Sequence, residues 1–265
     1  MNRPPGLEGL RLGCVQYLNS RPLIHGLEGV VLAHPRELAA RLREGALDAA
    51  LVPVFELLRS PGDYRFVNGV AIASRGPVYS VFVAHSRPLD VLEGVTADPA
   101  SLTSIHLFEV LAAGVLKRRL PLVPEDAGNV QNPAFGRLLI GNQAIERRVG
   151  SGAGLGGESF WDLGEQWTLW TGLPFVYAVW VLRRGIPGEV DVANAFRALA
   201  AAGIRAIPEI ARKHSEFGEA LALRYLNEHI RFTLGAPEHE GLARFSRELE
   251  ALGLVPPNRA ALEFV

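Results

Sequence analysis

The sequence has almost no cysteine and no long hydrophobic run. Its single cysteine, Cys14, excludes an internal disulfide and argues against a structural zinc site. The longest apolar run, residues 175–182, is well short of the roughly 20 residues that a membrane span requires. Residues 1–10 contain no apolar stretch like that of a signal peptide. We therefore expect a cytoplasmic protein with no membrane partner.

An excess of charge of one sign is lacking as well. Lysine and arginine number 27, and aspartate and glutamate number 28, so the formal net charge is −1. A chain this close to neutral has no basic surface for a nucleic-acid backbone, and we expect no nucleic-acid partner. The seven histidines show neither HExxH spacing nor cysteine partners, so we expect no metal site. The sequence also lacks the G-x-S-x-G motif of many hydrolases and a Walker A lysine.

What the sequence does contain is an alternation of buried strands and amphipathic helices. Its 265 residues, 48% of them hydrophobic, are enough for one large domain or two smaller lobes. Residues 35–44 predict a helix, because Leu38 and Leu42 share one face and Gly45 follows as a helix terminator. Strands are predicted around and beyond this helix, at residues 10–17, 49–54, 67–74 and 78–84. This order predicts an α/β protein with parallel strands.

The pattern restarts after Pro88. Residues 94–97 predict a strand, residues 101–116 a helix, and residues 138–140 another short strand. An apolar strand follows at 175–182. Beyond it the chain is predicted to be helical, in runs broken by glycine and proline, at residues 191–202, 208–217, 218–233 and 238–252.

This order of elements predicts two lobes. The chain would form a first lobe, leave it for a second and then return. Lobe 1 would hold residues 1–81 and 182–265, and lobe 2 residues 82–181. Two strands, near residues 78–84 and 175–182, would bridge the lobes. The cleft between lobes is the usual place for a small ligand.

Three hydroxyl side chains stand at the start of the predicted helix 101–116. They are Ser101, Thr103 and Ser104, within Asp98-Pro-Ala-Ser-Leu-Thr-Ser104. Free backbone N–H groups, the positive end of the helix dipole and hydroxyl donors together form an anion site that suits a carboxylate. Alternatively, one of these residues only caps the helix, which explains one hydroxyl better than three.

Two further polar residues, Asn19 and Ser80, are candidates for the cleft. Asn19 follows the first predicted strand, at the end where α/β sheets bind ligands, and its amide both donates and accepts hydrogen bonds. At this point the favoured alternative is a turn asparagine that bonds its own backbone. Ser80, on a candidate bridging strand, would face the cleft or be a polar break on a sheet face.

A glycine-rich run and a tryptophan cluster complete the candidates. The run at residues 150–157 predicts a flexible loop, with a lid over the cleft as the second interpretation. Four tryptophans between residues 161 and 180 predict core packing, with a cleft wall as the sharper alternative.

Several short segments together resemble a known family. They are Tyr17-Leu-Asn-Ser-Arg-Pro-Leu23, Ala50-Leu-Val-Pro-Val54, Gly76-Pro-Val-Tyr-Ser-Val81, Asp98-Pro-Ala-Ser-Leu-Thr-Ser104, Asp162-Leu-Gly-Glu-Gln-Trp167, Thr171-Gly-Leu-Pro-Phe175 with Ala178-Val-Trp180, and Gly241-Leu-Ala-Arg-Phe245. In this order they are similar to the chorismate dehydratases of the futalosine route to menaquinone. Each segment is short, but their joint order is specific and covers nearly the whole chain.

The resemblance implies a fold, a reaction and a set of site residues. The fold would be the periplasmic-binding-protein type II fold, with two lobes, two bridging strands and an inter-lobe cleft. The reaction would remove water from chorismate to give 3-[(1-carboxyvinyl)oxy]benzoate, with no cofactor. Asn19 and Ser80 match cleft positions of the family and are assigned to catalysis. Ser101, Thr103 and Ser104 are assigned to binding a substrate carboxylate.

One position departs from the family pattern. Family members usually carry Ile-Gly-Asp where this sequence has Ile140-Gly-Asn142. Little changes if that carboxylate only braces the lobe, whereas activity falls if it orients a cleft residue.

Other functions and assembly states stay open at this point. The alternatives are a non-catalytic cytoplasmic protein that binds a small carboxylate and the related 1,4-dihydroxy-6-naphthoate synthase, whose N-terminal motif differs. A monomer and a dimer are both compatible with the sequence.

Overall fold

Two five-stranded sheets form the framework of the protein. The computed structural model describes residues 3–97, 101–125, 127–150, 157–257 and 261–265. The strands of the first sheet are β1 Leu12–Val15, β2 Val30–Ala33, β3 Ala49–Pro53, β4 Tyr64–Ser74 and β10 Phe175–Arg183. Those of the second sheet are β5 Val81–His85, β6 Gly94–Ala97, β7 Leu122–Pro124, β8 Phe135–Ile140 and β9 Ser159–Asp162.

Both sheets are mixed. The first has the strand order β2-β1-β3-β10-β4, in which β1 runs parallel to β2 and β3 while β10 runs antiparallel to β3 and β4. The second has the order β7-β6-β8-β5-β9, with β6 parallel to β7 and β8 and β5 antiparallel to β8 and β9. The expected parallel pairing therefore applies to only part of each sheet. The strands β5 and β10 each enter from the other sheet, so no crossover helix forces them to run parallel to a neighbour.

Helices pack against the sheets, and they make up most of the chain after β10. The α-helices of the described residues are α1 Pro35–Arg43, α2 Val54–Arg59, α3 Thr103–Gly114, α4 Ala127–Val130, α5 Gly141–Gly150, α6 Leu163–Thr171, α7 Glu189–Arg205, α8 Ile207–Lys213, α9 Glu219–Arg224 and α10 Ala236–Ala251. The helix α1 begins at a proline, whose fixed φ suits the first turn, and Gly45 follows its end with a φ of 70°.

Aromatic residues pack the core between β10 and the helices. Trp180 is fully buried and stacks on Phe196 of α7, with 4.0 Å between ring centroids. Trp167 of α6 lies edge-on to Phe175 and to Phe245 of α10. These tryptophans pack the core, as the first of the two interpretations of the cluster predicts.

The chain crosses between the sheets twice. Residues 75–80 lead from β4 to β5, and residues 163–174, which include α6, lead from β9 to β10. Each strand belongs to one sheet, so neither of the strands predicted near residues 78–84 and 175–182 spans both. The two connections between the sheets lie next to these strands. The lobe limits at 81/82 and 181/182 stay a prediction.

Some elements differ from what the sequence indicates. Residues Leu18–Ile24, predicted as a loop, form a 3-10 helix that contains Pro22. The predicted helix 218–233 is shorter in the structure, because α9 passes directly into a π-helical turn, Tyr225–His229, and residues 230–233 are not helical. The predicted turn at residues 98–99 and most of the glycine-rich run, residues 151–156, lie outside the described residues. In the described part of the chain, no helix is both long and apolar enough to cross a lipid bilayer.

Candidate active site

A narrow cavity lies between the two sheets. The ends of β1, β3, β8 and β10 and the start of α3 contribute to its lining. Four of the five predicted site residues line it: Asn19, Ser101, Thr103 and Ser104. Its volume is about 60 Å³. The fold thus brings together polar residues that are more than 80 positions apart in the chain.

Asn19 is held in place by the short 3-10 helix after β1. Ser20 Oγ donates to the carbonyl oxygens of Val15 and Tyr17, both at 2.7 Å, which closes the turn without using Asn19. The backbone N–H of Leu18 donates to Oδ1 of Asn142 at 3.0 Å. Asn19 Oδ1 is buried and has no hydrogen-bond partner. The alternative of a turn asparagine that bonds its own backbone is therefore not what the structure shows.

The hydroxyl cluster lies at the start of α3, as its sequence indicates. The N-cap position is Leu102, and no side chain caps the helix. Thr103 Oγ1 accepts a hydrogen bond from the Phe55 backbone N–H at 3.2 Å, whereas Ser101 Oγ is buried without a partner. None of the three hydroxyls therefore acts as an N-cap. An unpartnered buried hydroxyl costs free energy, which a ligand at this point would recover.

Ser80 lies behind the cavity. It is fully buried, and its Oγ lies 2.7 Å from the hydroxyl of Tyr225. Burial raises the pKa of Tyr225, although its hydrogen bond with Ser80 acts in the opposite direction. Ser80 thus bonds Tyr225 and is not part of the cavity lining. Sequence reasoning missed Tyr225, because no local motif marks a residue that meets Ser80 across 145 positions.

Tyr177 of β10 is a second tyrosine that sequence reasoning missed. It lines the cavity, and its hydroxyl lies 3.1 Å from Ser74 Oγ. Burial, together with the charge on Asp162, raises the pKa of Tyr177 well above its ordinary value. The phenol therefore stays neutral near pH 7, so it can donate a hydrogen bond but does not act as a base.

Asp162 forms hydrogen bonds with both chain segments that connect the two sheets. Its carboxylate accepts hydrogen bonds from the backbone N–H groups of Val78 (3.0 Å) and Tyr79 (2.8 Å), next to Ser80. It also caps α6 by accepting from the N–H groups of Gly164 and Glu165. The pattern of aspartate followed three residues later by glutamate is a recognised helix-start signal that would have found α6.

The cavity is lined by neutral groups. Its described lining contains no lysine, arginine, histidine, cysteine, aspartate or glutamate. No three His, Cys, Asp or Glu side chains group as a metal site would require anywhere in the described residues. Hydroxyl and amide groups, together with the N–H groups at the start of α3, are thus the available means of binding an anion.

Comparison with solved structures gives the class of protein. SsuA, the periplasmic aliphatic sulphonate binding protein from Escherichia coli, matches with a TM-score of 0.62 and 14% identity, covering 96% of this chain and 95% of that one. Protein AF1704 from Archaeoglobus fulgidus matches with a TM-score of 0.73 and 15% identity, covering 93% and 98%. The chain therefore has the two-lobed α/β fold of periplasmic binding proteins, as the sequence predicts.

Comparison of sequences then gives the family. The family model described as menaquinone biosynthesis matches residues 10–251. Chorismate dehydratase from Thermus thermophilus is 30% identical over 264 aligned residues, covering 92% of this chain and 95% of that protein. The chain belongs to the menaquinone biosynthesis family, and the resemblance drawn from its motifs is confirmed.

Proposed function

We propose that the protein is a chorismate dehydratase, a hydro-lyase of menaquinone biosynthesis that acts in the cytoplasm. The observation that carries the proposal is the 30% identity to a chorismate dehydratase over 92% of the chain. The cavity supports it, because Asn19 Oδ1 and Ser101 Oγ are buried there without partners and await a polar ligand.

The proposed reaction is the loss of one water molecule, so it requires no oxidant or reductant. A C–H bond breaks at the ring carbon that bears the enolpyruvyl ether, and a C–O bond breaks at the neighbouring carbon that bears the hydroxyl. One proton and one hydroxide leave as water, and the ring becomes aromatic. Since aromatisation drives the step, the protein has mainly to position the substrate and exclude water.

Ser101, Thr103 and Ser104 would bind one substrate carboxylate. Ser101 has a free hydroxyl, and the first N–H groups of α3 have no side-chain cap. The helix dipole at this end favours a negative charge. Thr103 already accepts from the Phe55 N–H, so its hydroxyl proton is free to donate to the carboxylate.

The substrate itself would supply the base. The described lining of the cavity offers no histidine or carboxylate, and Tyr177 is held neutral by its raised pKa. The enolpyruvyl carboxylate of chorismate is attached next to the C–H bond that breaks. This carboxylate would take the proton, and Asn19 would orient it.

The test is to incubate the purified, metal-free protein with chorismate and to analyse the products by chromatography and mass spectrometry. We expect an aromatic product lighter than chorismate by one water. Intact chorismate, with a thermal shift on its addition, would overturn the proposal in favour of a non-catalytic binding protein. Intact chorismate without any shift would also overturn it, and 1,4-dihydroxy-6-naphthoate synthase activity would then be assayed.

Asn19→Ala should lower kcat much more than it raises KM. The amide is proposed to act on the reacting groups, and loss of one such preorganised group costs on the order of 10²–10³-fold in kcat. Steady-state kinetics with chorismate measure both constants. An unchanged kcat would remove Asn19 from the catalytic residues.

A further inference from the structure

Phe55 and His106 form a contact between two helices that belong to different sheets. Phe55 lies on α2, directly after β3 of the first sheet, and His106 lies on α3, which follows β6 of the second sheet. Their rings are stacked, with 3.5 Å between the centroids and 25° between the planes. The pair therefore joins the part of the chain around the first sheet to the part around the second.

The backbone of Phe55 contacts the proposed carboxylate site. Its N–H donates to Thr103 Oγ1 at 3.2 Å, in a buried hydrogen bond. This N–H belongs to the first turn of α2, where backbone donors have no partner within the helix. Thr103 lines the cavity, as does Pro53, which precedes α2. A Thr103 oxygen that accepts from Phe55 keeps its own proton to donate to a group in the cavity.

His106 is held in one orientation by its own helix. Its Nδ1 donates to Glu109 Oε2 at 2.7 Å, one turn further along α3. Only 20% of the His106 side chain is exposed, and its flat face lies against the ring of Phe55, which is almost wholly buried. Stacking of this kind depends on a flat ring, so an uncharged aromatic side chain can replace the histidine.

We propose that His106 is a positioning residue, which holds Phe55 against the start of α3 and thereby directs the Thr103 hydroxyl to a carboxylate of the substrate. This role rests on the proposed function. His106 is not part of the described cavity lining, so it would act on the substrate through Phe55 and Thr103. Without the stacked ring, the Phe55 N–H is free to move away from Thr103, and the hydroxyl proton is no longer fixed toward the substrate.

A double-mutant cycle with chorismate tests the role. His106→Ala should raise the KM by about fivefold or more and leave kcat nearly unchanged, because a contact with a carboxylate binds the substrate and the transition state alike. Thr103→Val should also raise the KM. In that background His106→Ala should have little further effect, because the two residues act as one unit. His106→Phe keeps a flat ring against Phe55 and should restore the wild-type KM.

His239→Ala is the matched control. His239 is a partly buried histidine whose ring packs on Phe264, with 4.6 Å between the centroids, and it is not part of the described cavity lining. Its removal should leave both KM and kcat at their wild-type values. If His106→Ala does not fold, His106→Leu replaces it in the cycle, since leucine fills much of the space but has no flat ring.

Three results would overturn the role: an unchanged KM in His106→Ala, an equal rise of KM in both backgrounds, or a KM in His106→Phe as high as that of His106→Ala. Any of these, with active wild-type and His239→Ala proteins, would refute the positioning role alone. A wild-type protein without turnover would refute the proposed function and this role together.

Discussion

The Ser101 hydroxyl affects both the stability of the folded protein and the proposed binding of chorismate. Its Oγ is buried without a partner, so Ser101→Ala removes a group whose burial costs free energy. The melting temperature should stay the same or rise. The KM for chorismate should rise by about tenfold or more, because a hydrogen bond to a charged group contributes about 1.5–3 kcal/mol. Thermal unfolding and steady-state kinetics measure the two effects.

Ser20→Ala is the matched control for the stability of Ser101→Ala. Ser20 is equally buried, but its hydroxyl bonds the carbonyl oxygens of Val15 and Tyr17. Its loss should lower the melting temperature, since the single hydroxyl proton that these buried carbonyl oxygens share is removed. A Ser101→Ala protein that is less stable and has an unchanged KM would contradict the anion site.

No protein group in the described lining of the cavity titrates near neutral pH. Burial, with the charge on Asp162, raises the pKa of Tyr177, so this phenol is fully protonated well below that pKa and does not change charge. We predict a flat profile of kcat/KM from about pH 6 to pH 9. A limb of the profile with a pKa of about 6.5 would indicate a histidine base. That result would contradict the substrate-assisted proton transfer.

The first turn of α5 connects the second sheet to the segment that carries Asn19. Asn142 Oδ1 accepts from the Leu18 N–H. The neighbouring Gly141 has a φ of 61°, and a Cβ there would lie 2.4 Å from the Tyr17 ring. Position 142 therefore braces a cleft residue by supplying an acceptor. An amide oxygen and the family's carboxylate both meet that need.

Two substitutions at Asn142 distinguish a need for a hydrogen-bond acceptor at this position from a need for a negative charge. Asn142→Asp keeps an oxygen for the Leu18 N–H, and kcat should stay close to that of the wild type. Asn142→Leu has a similar size but no acceptor, so it should lower kcat by about tenfold or more through displacement of Asn19. Kinetics of the two variants decide the matter. A large gain in Asn142→Asp, or full activity in Asn142→Leu, would contradict this bracing role.

The elements that apolar patterns mark are the ones that the sequence predicts well. The strands β3 and β6 lie within a residue of their predicted limits, because each is a short buried run between turns. The helices α5 and α6 are missed. The first starts directly after β8 with Gly141, a poor helix former, and the second is rich in tryptophan and threonine, which are weak helix formers.

The candidate site is predictable only where one segment of the chain carries it. Ser101, Thr103 and Ser104 are neighbours in sequence, so a helix-start pattern finds them. Their place beside Asn19, and the contact of Ser80 with Tyr225, depend on how distant parts of the chain pack. Local sequence patterns do not encode such long-range contacts.

For the molecule as a whole, contacts between the two lobes border the cavity. Asn142 on α5 meets Leu18, and Thr103 on α3 meets Phe55 of α2. The cavity between them is narrow, with a volume of about 60 Å³. We expect the sheets to move relative to one another when chorismate binds, by the hinge motion that two-lobed binding folds make around their ligands.

The crystal structure of the Asn19→Ala variant with chorismate tests the central claim, that this cavity is the site of the reaction. The slow variant should keep the substrate intact. We predict chorismate between the two sheets, with one carboxylate against Ser101 Oγ and the start of α3. Chorismate bound elsewhere, for example in the open groove beside Arg137 and Gln143, or an empty cavity at saturating chorismate, would contradict the account.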